Sequence, residues 1–256
     1  MIEKEVDKLK VKILPNRKEM GKISHEDFAE TVKKLLKEKE TISIIFAAAP
    51  SQNDFLERIT SDKDIDYTKI IAYHMDEYIG LPKNHEAGFG NFLNRSLFSK
   101  CPFKEVHYIN GNTKSPEEEC ERYSKLLNST HIDIVCMGVG QNGHIAFNDP
   151  AEADFNDPNT VKVVKLDEIC RQQQVNDGCF KNINEVPKHA FTVTIPALMK
   201  ADYHFCIVPT KLKANAIKKM LEEKISKDCP ASILRTKINS ILYLDADAAS
   251  LLNKAK

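Results

Sequence analysis

The segment Ile132-Asp-Ile-Val-Cys-Met-Gly-Val139 runs directly into Gly140-Gln-Asn-Gly-His-Ile-Ala-Phe-Asn-Asp-Pro150, and this junction decides the fold. Its first part is nearly continuous in apolar and β-branched residues, the pattern of a strand covered on both faces, as in a mostly parallel sheet. Its second part turns abruptly to glycine, amide and carboxylate residues, as a loop at the end of such a strand would. The same apolar signature recurs in Ile42-Ser-Ile-Ile-Phe-Ala-Ala-Ala49 and in Phe205-Cys-Ile-Val208.

Working outward, the pattern predicts strands at Val11–Leu14, Ile42–Ala48, Ile70–Met75, Ile132–Met137, Val161–Lys165, Phe191–Ile195, His204–Val208 and Ile241–Leu244. Helical stretches lie between them. Ser24-His-Glu-Asp27 reads as a cap before Phe28, Val32, Leu35 and Leu36 on one face. Ser115-Pro-Glu-Glu118 puts a cap, a first-turn proline and dipole-matched acids in order. Thr210 precedes Ala214, Ile217 and Leu221 at helical spacing. With βα alternation from end to end, the expected fold is one α/β domain over residues 1–256: three layers, Rossmann-like, a mostly parallel sheet with helices on both faces. Sites in such sheets lie beyond the carboxyl ends of the strands, here the loops after Ala48, Met75, Met137 and Val208.

Composition narrows the class. The 37 basic and 37 acidic residues cancel, which argues against a general nucleic-acid or acidic-membrane binder. Seven scattered cysteines without a C-x-x-C pair fit reduced thiols rather than a disulfide framework or zinc site. No apolar run is long enough to span a membrane and the N-terminal stretch lacks a signal-peptide core, so a cytoplasmic protein is expected. Of nine glycines, six fall in two short windows: Gly80, Gly88 and Gly90, and Gly138, Gly140 and Gly143.

The first window follows a strand and reads His74-Met-Asp-Glu-Tyr-Ile-Gly-Leu-Pro82. Alternation at a strand end points Asp76 and Glu77 in different directions, and partial burial would raise the pKa of either enough for a general base. In the second window, Gly138 and Gly140 permit close approach of backbone to a ligand. His144 alone among eight histidines stands in such a loop beside amides and carboxylates. Carboxylate, histidine and glycine loops at strand ends fit proton transfer on a small polar substrate.

At these residues the sequence resembles the glucosamine-6-phosphate deaminase (isomerase) family, which shares its fold with 6-phosphogluconolactonase. Met75–Pro82 matches the family pattern MDEYxGLP and Gly138–Pro150 matches GxGxDGHIAFNEP, with supporting agreement at His85, Asn110-Gly111-Asn112 and Val186-Pro187. The resemblance runs in order over roughly residues 40 to 245 and favours the deaminase branch. It implies aldose–ketose isomerisation coupled to ammonia loss, with no metal or other cofactor. Asp76 would carry a proton between C2 and C1, and His144 would assist ring opening with Asn142 and Asp149 orienting it. Ser51, Gln52, Glu77, Gly138, Gly140, Gly143, Arg171 and Lys213 would contact a sugar phosphate. Many family members are oligomers, so self-assembly is a further expectation.

Four departures stand out. Asn142 replaces an aspartate and carries no charge to stabilise an imidazolium. Asp149 replaces a glutamate, so its contact with His144 should lengthen or run through water. Ala47-Ala-Ala-Pro-Ser-Gln-Asn53 replaces a glycine-rich phosphate loop, although proline donates no N–H and alanine resists positive φ. A substrate arginine is replaced near Asn176, with Arg171 five positions upstream. These changes keep two alternatives open: a lactonase-like or altered-substrate sugar enzyme, and a non-catalytic sugar-phosphate sensor. Against the sensor, no helix-turn-helix segment is expected ahead of the domain.

Overall fold

The computed structural model describes residues 1–253. The chain begins with a hairpin, β1 (Ile2–Val6) and β2 (Leu9–Leu14), and continues into the long helix α1 (Arg17–Glu38). Next come β3 (Ile42–Phe46), α2 (Asn53–Ser61), β4 (Ile70–His74), the short β5 (Asp76–Tyr78) and α3 (Phe89–Leu93). Then follow β6 (Glu105–His107), α4 (Pro116–Asn128), β7 (Ile134–Met137), β8 (Val161–Lys165), α5 (Glu168–Asn176) and β9 (His189–Val193). The chain closes with α6 (Ile195–Leu198), β10 (Tyr203–Val208), α7 (Ala214–Glu222) and β11 (Ser240–Asp245).

Eight strands form the main sheet in the order β1-β2-β11-β10-β7-β3-β4-β6, and every pairing except the β1–β2 hairpin is parallel. The expected α/β class with a mostly parallel sheet is therefore observed. Alternation along each central strand feeds two cores. Ile44, Phe46, Ile134, Cys136, Phe205 and Ile207 pack with Phe28, Val32 and Phe55 of α1 and α2. Ile45, Val135, Met137, Cys206 and Val208 pack on the other face with Tyr123 of α4 and Ile217 of α7. A second, antiparallel sheet of β5, β9 and β8 stands beside the main one.

Three strands go beyond the expected set, for separate reasons. The edge strand β1 alternates charged with apolar residues, while β5 and β6 span only three residues each. The helix expected from Ser24 instead starts at Arg17, where Asn16 accepts the Glu19 N–H at 2.9 Å. Met20, Gly21 and Ser24 are already buried, so the buried stripe starts about two turns before Phe28. Ser115 does cap α4 as expected. All seven cysteines are unpaired, and no helix among the described residues is long and apolar enough to cross a membrane.

The chain lays β4 and β6 outward from β3, then crosses back to place β7 on β3's other side. Loops leaving β3 and β7 diverge here, and a crevice opens beyond their carboxyl ends, as expected at such a reversal.

Candidate active site

A cleft of about 260 Å³ fills this crevice, near the lower end of small-molecule pocket sizes. It collects the ends of four parallel strands: Ala47–Ser51 after β3, Met75 and Asp76 after β4, Gly138–Gly140 after β7, and Pro209, Thr210 and Lys213 after β10.

Asp76 owes its position to the second sheet. It pairs with Thr192 of β9, and the alternation of β5 turns its carboxylate into the cleft while Glu77 points away. The Asp76 carboxylate has no hydrogen-bond partner among the described residues. Burial, with the neighbouring Glu77 charge, pushes its pKa well above the usual carboxylate range. Beneath it, His74 is fully buried and held neutral, its pKa lowered to about 4 by desolvation. The Ile109 N–H donates to Nε2 of His74 at 2.9 Å, which leaves the proton on Nδ1 to bond the Asp76 carbonyl at 2.9 Å. A neutral imidazole thus fixes the backbone that carries the candidate base.

Glu77 corrects an expectation. Its oxygens accept the N–H groups of Tyr78 (2.9 Å), Phe89 (3.0 Å) and Gly90 (2.8 Å), bracing the start of α3. It is a loop anchor, not a cleft residue, because those donors lie on its own side of β5.

The loop after β7 is folded around His144. Gly140 donates its N–H to the His144 carbonyl at 2.9 Å, and a Cβ on Gly140 would lie 2.2 Å from the imidazole ring. Only glycine lets the ring close over this turn. Gly143 has φ +88 and faces Cys229, so it shapes the turn without lining the cleft. Asn148, part of the matched motif but given no role there, ties the loop to β9 by donating to the Val193 carbonyl at 2.9 Å.

Two further expectations are revised here. Nδ1 of His144 lies 2.8 Å from Oδ1 of Asp149, so the shorter side chain reaches the ring directly; no lengthened or bridged contact is needed. Asn142 does not meet the imidazole. Its Oδ1 accepts the His144 backbone N–H at 3.1 Å, and its amide donates to Asp149 at 2.9 Å and to Asp167 at 3.2 Å. Burial drives the Asp149 carboxyl upward, but His144 and Asn142 outweigh it and hold the pKa below normal. The Cys170 thiol completes this buried group, with donor atoms of His144, Asp149 and Cys170 within 4.8 Å of one another. Among the described residues, these three form a buried donor cluster that could hold a metal ion, and of them only His144 lines the cleft.

The other half of the cleft has different chemistry. Ala47–Pro50 and Ser51 line it. Gln52, expected to bind substrate, is instead buried as a pin: its Nε2 donates to the Ile207 carbonyl at 3.2 Å and to Ser51 Oγ at 3.1 Å, tying the β3 loop across to β10. Gly138 allows this crossing, since a Cβ there would lie 3.2 Å from that amide. Lys213 is 5% exposed, faces the cleft and has no carboxylate within 4 Å among the described residues. Desolvation lowers its pKa, partly offset by Asp177. Ahead of it, Thr210 sits at φ +81, a strained conformation for a β-branched residue, with its N–H held by both oxygens of Asp245 at 3.0 and 3.1 Å.

Arg171 is the clearest displacement. Its guanidinium donates to the carbonyls of Ile183 (2.6 Å) and Val186 (2.9 Å) and does not line the cleft. Asn176 is exposed. Gln173, Gln174 and Asp177 of the same segment face the cleft instead. Together with Arg17, Thr210 and His74, they are residues that no motif singled out. Their signals were indirect: Arg17, His74 and Thr210 lie at or just beyond strand ends, and Gln173, Gln174 and Asp177 lie in the segment where the substrate arginine was expected.

Fold and cleft together define an α/β protein with a carboxylate and an imidazole–carboxylate pair at a sheet reversal. Residues 15–243 match the family described as glucosamine-6-phosphate isomerases/6-phosphogluconolactonase, and the chain belongs to that family. Glucosamine-6-phosphate deaminases from Bacillus cereus and Bacillus thuringiensis are each 33% identical over 234 residues, 90% of this chain and 87% of theirs. A solved monomeric glucosamine-6-phosphate deaminase superposes with a TM-score of 0.85 at 30% identity, covering 94% of this chain and 99% of its own. A 6-phosphogluconolactonase from Thermotoga maritima shares the fold, with a TM-score of 0.74 at 21% identity over 92% of this chain and 98% of its own.

Proposed function

We propose that this chain is an amino-sugar-phosphate deaminase that converts glucosamine 6-phosphate and water to fructose 6-phosphate and ammonia. The carrying observation is that an unpartnered, buried Asp76 carboxylate and the His144 imidazole, with Asp149 buried behind it, line one cleft. Proton transfer by positioned groups of this kind contributes roughly 10²–10⁴-fold to rate.

In this reading His144, steadied by Asp149, moves a proton at the ring oxygen and opens the pyranose. Asp76 then takes the C2 proton of the open aldose while a proton of the C2 ammonium passes to O1, giving an enolamine, and Asp76 returns its proton to C1. The resulting C2 imine adds water and expels ammonia, leaving the ketose. The raised pKa of Asp76 makes it a stronger base than an ordinary carboxylate and moves the acid limb of the rate profile toward neutrality. Lys213 and Ser51 would receive the phosphoryl group. Any self-assembly stays within this proposal; the solved relative at 30% identity is described as monomeric.

Purified protein incubated with glucosamine 6-phosphate should release ammonia and form fructose 6-phosphate in equal amounts. Hydrolysis of 6-phosphogluconolactone without ammonia release from the amino sugar would replace this reading with the lactonase one.

A further inference from the structure

We infer that Arg17, at the start of α1, is a specificity-determining residue that supplies the second cation of the cleft's phosphoryl-binding end. The inference rests on the sugar-phosphate reading above and assigns the charge that the β3 loop and α5 do not provide.

Among the described residues, Arg17 and Lys213 are the only lysine or arginine side chains lining the cleft. Both line the cleft that Ser51 also lines, arriving from different segments: Arg17 follows β2 and Lys213 follows β10. A buried ammonium without an ion pair is costly to maintain, and a ligand dianion is the group that would offset that cost. One lysine leaves a phosphomonoester half neutralised, and α5 offers only carboxamides and Asp177 at this end.

Arg17 is also held in place before any ligand arrives. Its Nε donates to Asp54 in the first turn of α2, and Nη2 donates to the Pro50 carbonyl within the cleft loop. Gly21, one turn further along α1, lets α2 approach closely enough for this clamp, since a Cβ there would lie 2.6 Å from that of Asp54. A guanidinium has five N–H donors, so two such anchors leave a fork free to grip phosphate oxygens. The rigid loop that lost its glycines thereby gains a fixed cation beside it. Preorganisation of this kind reduces the ordering cost of binding.

The test measures inorganic phosphate binding by calorimetry alongside steady-state kinetics on glucosamine 6-phosphate. Arg17→Ala should weaken phosphate binding and raise KM in parallel, by about 10- to 100-fold for loss of charged hydrogen bonds, with kcat within about threefold. Arg17→Lys should recover only a minor part, because an ammonium cannot reproduce the fork. Asp54→Asn, which loosens the clamp but keeps the cation, should give an intermediate loss in both measures, about two- to fivefold and clearly smaller than that of Arg17→Ala. Two outcomes overturn the inference: phosphate binding unchanged within twofold in Arg17→Ala, or Asp54→Asn reproducing the full loss, which would make Arg17 a mere brace. Absence of turnover in the wild type would defeat the deaminase reading instead, and the calorimetric comparison would still decide the role of Arg17.

Discussion

The two halves of the cleft are built on different principles. Around Asp76 and His144, the supporting groups are fixed by neighbours while the Asp76 carboxylate itself is left free: His74 holds the Asp76 backbone, Gly140 holds that of His144, and Asn142 lies between Asp149 and Asp167. Around Lys213, the polar groups are left open: an unpaired buried ammonium, a loop of alanines, and carboxamides in place of a strong anion receptor. Chemistry demands fixed geometry for proton transfer, since a small misplacement costs rate directly. Affinity for a charged tail tolerates several solutions, so sequence can drift there while charge is restored from elsewhere in the fold.

The contrast can be broken most directly at Asp76. Asp76→Asn should lower kcat by about 10³-fold while leaving KM within a few-fold. It should also raise thermal stability at pH 8. A carboxyl whose folded pKa is raised adds stability below its unfolded pKa, and that stability is lost as pH rises through the folded value. Melting curves of wild type against variant from pH 4 to 8 check the sign; equal pH slopes would refute the buried-base assignment.

Lys213→Met should show the opposite kinetic split. KM for glucosamine 6-phosphate should rise about 10- to 100-fold with little change in kcat, and stability should increase because an unpaired buried charge is removed. A loss confined to kcat would show that the two halves do not divide as described.

Asn142→Asp sharpens the comparison from within the first half. Restoring the family's aspartate would place a third carboxylate beside Asp149 and Asp167, replacing the amide that bridges them. The variant should lose about tenfold in kcat at pH 7 and recover melting temperature as pH falls, since protonation relieves the repulsion. Activity above wild type would mean that His144 lacks charge support in the native chain.

The smallest kinetic effect should come from Arg171→Ala. Its bonds to Ile183 and Val186 brace the segment behind α5, so about 1–3 kcal/mol of stability should be lost with KM unchanged. A rise in KM would return Arg171 to the substrate.

Sequence alone determined the sheet and the chemical half of the site. Apolar strands such as Ile134–Met137 must be covered on both faces, and glycine–histidine loops at their ends carry local constraints that short motifs record. That Asp76 and His144 would stand at strand ends beside one cleft was legible for that reason. Tertiary structure alone decided where the neighbouring side chains turned. Glu77, Gln52 and Arg171 all face away from the cleft, because each found backbone partners contributed by distant segments. Arg17 faces inward because α1 meets α2 at Gly21 and Asp54. The direction of a side chain depends on partners remote in sequence, and no local pattern encodes them.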